Sequence, residues 1–389
     1  MSVVFAVVGG AAGFAALLVL IVSFAAARSL VVGGAPVSIS YRIDGDRIEL
    51  AATELTLAAG SYGLIAGNGV HAQIGDVFNG DGTSVTRTLS LITGGHLPPR
   101  GEGRWVRDVY PSPAELGLLF TEVDIVTGGG ISPAWVVPGQ SGSDVWAIHL
   151  HGIRTTRSVV LPAVAALLPT GVTSLVPSWR GDSEGPPTFS GGSSLGQEEW
   201  RDVEAALEFA VASGARSIVL VGWSMGAMIS TLLLENSRLA DHIVAVVMVA
   251  PVTSWRAVVA HAVRAARLPR VVGRLVGMII GIPGVCRIAG LAAPVHLAKL
   301  DGAASKVDVP TLVLHNAGDP LAPFAATVDF CRRNSEMAEL VVFEDAPHAM
   351  EWNREPQKFE ETINTWVTNV VASVRKDAGN GSAGDARGS

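Results

Sequence analysis

The stretch VLVGWSMGAMIS, Val219 to Ser230, sets a run of aliphatic residues directly against Gly222-Trp223-Ser224-Met225-Gly226 and then against residues that suit a helix. Strand, sharp turn and helix with no loop between them is a demanding arrangement. A serine at the apex is forced into a strained backbone conformation, and side chains in place of Gly222 or Gly226 would collide with neighbouring chain. The helix beginning near Met225 leaves its first N–H groups without intrahelical acceptors, aimed at whatever sits on Ser224. Such a turn needs a sheet around it.

The rest of the chain supplies one. DVWAIHL, VTSLVPSW, SIVLVGW, IVAVVMVAP, TLVLHNA and AELVVFE are near-continuous apolar runs. Between them lie the helical patterns RSVVLPAVAALL and GQEEWRDVEAALEFAVASG, and an amphipathic helix is expected from Pro356 to Arg375. Apolar strands alternating with helices predict an α/β domain with a doubly wound, mostly parallel sheet covered on both faces. A β pattern from Leu118 to Gly139, turning at Gly128-Gly129-Gly130, opens this domain, which is assigned to residues 118–375.

Three other regions flank or interrupt it. Residues 36–117 read as a small β-rich leader, with Asp44-Gly45 as a hairpin signal and Gly94-Gly95 as a stop. Residues 1–28 contain the uncharged run Val3 to Ala27. As a helix it would extend roughly 37 Å, enough for a hydrocarbon core of about 30 Å. It lacks the basic n-region and short apolar core of a cleaved signal, so a retained single-pass anchor is the expectation. Arg28, Arg42 and Arg47 follow it and nothing basic precedes it. That bias favours a cytoplasmic bulk but does not decide against export of a large domain, so the side is left open. Residues 256–306 are expected to form a helical cap, and Trp255 to Lys299 carries Arg256, Arg264, Arg267, Arg270, Arg274 and Arg287 with no acid at all. One reading is an ordinary packed insertion; the other is a cap that also rests on an anionic membrane surface. Residues 376–389 read as a disordered tail.

A serine hydroxyl is a poor nucleophile until a base takes its proton. Of the nine histidines, His348 in FEDAPHAM follows the final strand, whereas the others are read as lying before the turn or away from a strand C-terminus. Asp319, in a Gly-Asp-Pro turn after a buried strand, is the expected orienting acid, ahead of Glu344 and Asp345. The order Ser224, Asp319, His348 suits an elbow of this type. A developing oxyanion would be met by the Met225 amide and by one from the loop at His151-Gly152, with Ile153 preferred and Arg154 next. His149 and His151 are spaced i, i+2, but no third ligand accompanies them, and neither a metal nor a cofactor is expected.

With these residues in view, the chain from about Val123 to Val374 resembles the α/β-hydrolase superfamily, in particular its serine aminopeptidase-like and acyl-peptidase-like branch. His151-Gly152, SWRGDSEGPP at Ser178–Pro187, GWSMGAM, HNAGDPLAP and APHAMEWN carry the likeness. With its anchor and β-rich leader the chain is also similar to membrane-anchored hydrolases of actinobacteria. The second motif departs from the Arg-Gly-x-Gly-x-Ser of many relatives, reading Arg180-Gly181-Asp182-Ser183-Glu184-Gly185. The resemblance implies a catalytic triad at Ser224, Asp319 and His348. His151, Gly152, Trp223, Arg180 and Asp182 are expected at the pocket rim.

Composition narrows the partners. The charged fraction is 16%, the apolar fraction 49% and the net charge −7, with a mean hydropathy of +0.40. That balance argues for contact with lipid and against nucleic-acid binding. A serine hydrolase acting on an ester or thioester of a small or lipid-like acyl substrate is the leading expectation. An acyltransferase, a peptidase and a ligand-binding pseudoenzyme are the alternatives. Cys286 and Cys331 could pair or stay free.

Overall fold

The computed structural model describes residues 2–33, 38–67, 69–301 and 305–385, and side chains from residue 14 to residue 376. The chain opens with α1 (Ser2–Val31). Six strands follow: β1 (Ser38–Asp44), β2 (Arg47–Ala51), then after a short α2 (Glu54–Leu57) β3 (Tyr62–Ala66), β4 (His71–Gly80), β5 (Ser84–Thr93) and β6 (Arg100–Val106). The expected β-rich leader is a closed barrel, ordered β1-β2-β5-β4-β3-β6. β6 closes it by pairing antiparallel with both β1 and β3. Alternate residues Tyr41, Ile48, Leu50, Tyr62, Leu64, Ile74 and Val85 fill its interior. Arg87 is also buried there. It donates to the carbonyls of Gly75, Thr56, Ala58 and Gly60, which replaces the water it gave up.

The larger unit begins with the hairpin β7 (Thr121–Thr127) and β8 (Gly130–Val137), then β9 (Val145–Leu150), α3 (Leu161–Leu167), β10 (Thr173–Pro177), α4 (Glu199–Ala212), β11 (Ser217–Trp223), α5 (Met225–Asn236) and β12 (Ile243–Val249). A helical insertion follows, α6 (Trp255–Ala265), α7 (Arg270–Gly281) and α8 (Val285–Ala289). The chain then completes β13 (Thr311–Asn316), α9 (Phe324–Arg333), β14 (Ala338–Phe343), α10 (Glu351–Arg354) and α11 (Pro356–Asp385). The eight-stranded sheet runs β14-β13-β12-β11-β9-β10-β8-β7. β8 is antiparallel to both of its neighbours, and the other pairs are parallel.

The period-two alternation of strands sorts the core into two layers. Ile218 and Leu220 of β11 pack toward α4 and α5, while Val219 and Val221 pack toward α3 and α11 through Phe359, Ile363 and Val367. The active face is therefore the C-terminal edge of the parallel strands, where ligands of open α/β sheets collect. Cys286 and Cys331 are both free and buried.

Two boundaries differ from expectation. The closing helix does not stop at Arg375 but continues to Asp385, so much of the expected tail is helical backbone. It holds no proline to break a helix already anchored by its packed first turns. The N-terminal helix also extends past residue 28, and its last turns are not free: Ser23, Ala27 and Val31 are fully buried. They pack along α7 and α8, and Arg154 Nη1 donates to the carbonyls of Ser29 and Leu30, capping the helix end. Phe14, Leu17, Leu18 and Ile21, earlier in the helix, are exposed.

Asn353 is one residue that stitches the barrel to the sheet domain. Its Nδ2 donates to Ser61 O (2.6 Å) and Arg107 O (2.9 Å), and the Asn353 backbone carbonyl accepts from Ser61 N (3.1 Å). Asn353→Ala would strand two carbonyls beside a buried side chain. The expected result is a loss of about 1–3 kcal/mol, read as a lower Tm in thermal unfolding followed at the barrel tryptophan, Trp105.

Candidate active site

β11 delivers Ser224 to the C-terminal edge at a backbone φ of +54° and ψ of −111°, a strained conformation for a residue with a side chain. The chain accepts this because of what lies on each side. A Cβ on Gly222 would come within 2.5 Å of the Gly226 backbone, and one on Gly226 within 2.2 Å of Leu150 O. The glycines let the turn close directly onto β9 and α5.

Facing Ser224 is the loop between β14 and α10. His348 Nε2 lies 2.8 Å from Ser224 Oγ, and His348 Nδ1 lies 2.6 Å from Asp319 Oδ2. With Nδ1–H given to the carboxylate, Nε2 is the nitrogen free to accept the serine proton. Three residues expected from chain order thus meet in one hydrogen-bonded relay. Asp319 is held by more than His348. His315 Nε2–H donates to the same oxygen at 3.1 Å, and Leu321 N and Ala322 N donate to the other at 2.7 and 2.8 Å. Burial alone would raise the Asp319 carboxyl, but His315 and His348 hold it well below the usual carboxylate range. Burial pushes the His348 pKa down and outweighs Asp319, which pulls it up.

His315 is a residue that the sequence reading passed over. Sequence places it among the histidines away from a strand end, whereas the structure sets it at the C-terminal end of β13, after the elbow. Its other nitrogen accepts from Thr327 Oγ1 at 2.9 Å, which fixes the ring. The i, i+4 spacing of His315 and Asp319 was the available signal.

On the other side of Ser224 stands the loop after β9. A Cβ on Gly152 would lie 3.3 Å from Ser224 Cβ, so the loop passes hard against the nucleophile. Gly152, Ile153 and Arg154 line a cavity of about 540 Å³ together with Ser224 and His348. Met225 heads α5, so its N–H has no intrahelical acceptor. The cavity's remaining walls are apolar residues of the insertion, Trp255, Val258, Ala262 and Val276 among them, with Leu30 of α1 and Arg107 after β6.

The other residues expected at the rim are elsewhere. His151 is buried, stacked on Trp179 with ring centroids 3.5 Å apart, and donates from Nε2 to Asp182 Oδ2. Asp182 also accepts from Trp179 N and Glu184 N, so this pair shapes the loop rather than the cavity. Arg180 turns away to a bidentate ion pair with Asp202 of α4. Trp223 points into the core, 5.5 Å from the Phe359 ring. Trp223 ends β11 and the other three sit on loops, and in each case the side chain turns to the packed side. Of the five, Gly152 alone lines the cavity.

An elbow serine, a histidine base and a carboxylate at the strand ends of a doubly wound sheet define an α/β-type hydrolase site. The sequence profile described as the α/β hydrolase family matches residues 136–362, more than half of the chain, and the protein belongs to that family. A second profile, described as a domain of unknown function (DUF8805), matches residues 41–106, which is the barrel. Among solved structures, the chain is similar to the esterase Pf2001 of Pyrococcus furiosus. In one crystal form the identity is 20% and the TM-score 0.51, over 66% of this chain and 95% of that one. A second crystal form gives 20% and 0.50, over 66% and 94%. Est1E of Butyrivibrio proteoclasticus, solved with ferulic acid bound, is 15% identical with a TM-score of 0.47, over 64% and 99%.

Behind Asp319 lies Glu351, fully buried, with Oε1 accepting from Asn316 N and Oε2 without a partner among the described residues. Burial pushes its pKa up to about 8, and the Asp319 charge adds to the rise. In the unfolded chain it titrates near 4.5. Between those values the folded protein holds a proton that the unfolded chain has released, so this group lowers stability as pH rises from 4.5 toward 8. Glu351→Gln should remove that slope, up to about 1.4 kcal/mol per pH unit for one proton. Tm measured from pH 4 to pH 8 should show the variant gaining on the parent above pH 5 and matching it below.

Proposed function

We propose that the protein is a membrane-tethered serine hydrolase that cleaves an acyl ester or thioester through an acyl-Ser224 intermediate. The observation that carries this reading is the relay of 2.8 and 2.6 Å from Ser224 through His348 to Asp319, opening on an apolar cavity. His348 takes the hydroxyl proton as Oγ attacks the carbonyl, and the oxyanion is met by the N–H groups of Met225 and Ile153. His348 then protonates the leaving alcohol or thiol. A water, deprotonated by the same nitrogen, releases the acid and restores Ser224. Asp319 keeps the imidazole in the required tautomer and stabilises its charge.

Attachment to a membrane is supported by packing. α1 contains an 18-residue stretch, Phe14–Val31, of mean hydropathy 2.3. Its last turns are buried against α7 and α8, which fits a retained helix better than a cleaved signal. The portion ahead of Ser23 measures roughly 31 Å at about 1.5 Å per residue, matching a bilayer core. The insertion beside it exposes Val271, Met278, Ile282 and Ile288 together with Arg264, Arg270, Arg274 and Arg287. That mixture suits the surface of an anionic bilayer.

A fluorophosphonate probe is expected to label the intact protein and not Ser224→Ala. Turnover of an acyl ester should fall by at least about 10⁴-fold in that variant. Failure of the folded protein to react would overturn the hydrolase reading. Because the base works only when neutral and its pKa is lowered, kcat/KM should rise with pH along a single limb whose midpoint lies below 6.5. Esters of graded acyl length should be turned over best when the chain is long enough to reach Val258 and Val276. The intact protein should also co-sediment more strongly with phosphatidylglycerol vesicles than with phosphatidylcholine vesicles, and Arg264→Gln/Arg270→Gln/Arg274→Gln should narrow that difference.

A further inference from the structure

The cavity around Ser224 contains a cation that the chemistry above does not use. Arg107 follows directly on β6, the strand that closes the barrel, and its carbonyl is pinned by Asn353 Nδ2 at 2.9 Å. Its half-buried side chain lines the cavity along with Ser224 and His348. The guanidinium takes part in no hydrogen bond or ion pair among the described residues. An arginine has five N–H donors, and leaving them unused beside an apolar wall is costly.

None of the carboxylates near it bonds the guanidinium among the described residues. Asp108, Glu351 and Asp319 act on Arg107 through their charges. Asp108 accepts from Ser158 Oγ. Asp319 is fully occupied by His348, His315, Leu321 N and Ala322 N. Glu351 meets Asn316 N and holds its proton at neutral pH. Arg154, the other cation of the cavity, spends its Nη1 on the end of α1. No acid lines the cavity among the described residues. Arg107 is thus a cation with free donors, held by the backbone in a pocket whose insertion wall is apolar.

We infer that Arg107 is an anion subsite: the substrate is an acyl ester whose leaving alcohol carries a phosphate or carboxylate, received by this guanidinium while the acyl chain lies against the insertion. The inference rests on the hydrolase reading and names its substrate class. Phosphate and carboxylate both match the planar fork of arginine. The insertion wall of Trp255, Val258, Ala262 and Val276 offers nothing to such a charge and suits the acyl chain. That leaves the barrel side of the cavity to the alcohol, and it gives the barrel a part in choosing the substrate.

The test uses the full-length protein and three matched esters: octanoylglycerol, its phosphate, and its carboxymethyl ether. The ratio of kcat/KM for each charged ester to that for the neutral one is the readout. The parent protein should favour at least one charged ester, and the two charged arms separate phosphate from carboxylate. Arg107→Ala should lower that ratio ~10- to 100-fold, chiefly through KM, and Arg107→Lys should keep part of it. If Arg107 only balances the charge of Asp319, all three esters will lose rate together and the ratio will stand, which overturns the proposal. Equal turnover of all three by the parent protein overturns it as well. Affinities for the same compounds on the Ser224→Ala background, with and without Arg107→Ala, give a second measure that needs no turnover. Should the parent protein hydrolyse none of the esters, the hydrolase reading fails, and these affinities still decide whether the subsite exists.

Discussion

Everything at the site depends on the turn at Ser224. Its positive φ costs on the order of 1–3 kcal/mol, a sum that a loop could escape by relaxing. Here it cannot relax, because Val221 and Gly222 are locked in the sheet between β9 and β12 and Met225, directly after Ser224, already belongs to α5. Ser224 N also donates to Val249 O at 2.8 Å, which ties the apex to the neighbouring strand. The hydroxyl is therefore delivered to His348 by the rigid core of the domain, and the only free adjustment is on the histidine's side.

That side is supported from an unexpected direction. Met350, two residues after His348, packs into the core of the barrel, and Asn353 bonds its edge. The segment bearing the base is thus clamped between the sheet domain and a second folded unit. α1 adds a third support, since Arg154 of the loop beside Ser224 caps its end. Three regions of separate sequence character meet around one cavity.

How much of this could be read from the sequence depends on how local the physics is. The elbow and the alternation of strands and helices are short-range patterns, and they led to the right fold. Ser224, Asp319 and His348 were legible because each sits at a strand's C-terminal end in the order such a sheet requires. What side chains do on the far side of a loop is not local. His151 and Asp182 were placed by their loops but spend themselves on each other and on Trp179. Barrel closure was equally hidden, since β6 must pair with β1 and β3 at distant positions. Arg107 carries no motif, and only the docking of the barrel brings it near Ser224.

The burial of α1's last turns has a practical side. Removing residues 1–33 is the obvious way to make a chain of this kind easy to handle in water. Ala26, Ser29 and Leu30 would go with the apolar stretch, and they form one wall of the cavity. Arg154 would lose the carbonyls that orient it, releasing a second guanidinium beside the nucleophile. A trimmed protein would keep its relay, yet present a wider and more basic pocket. Its substrate preferences would describe the trimming as much as the enzyme.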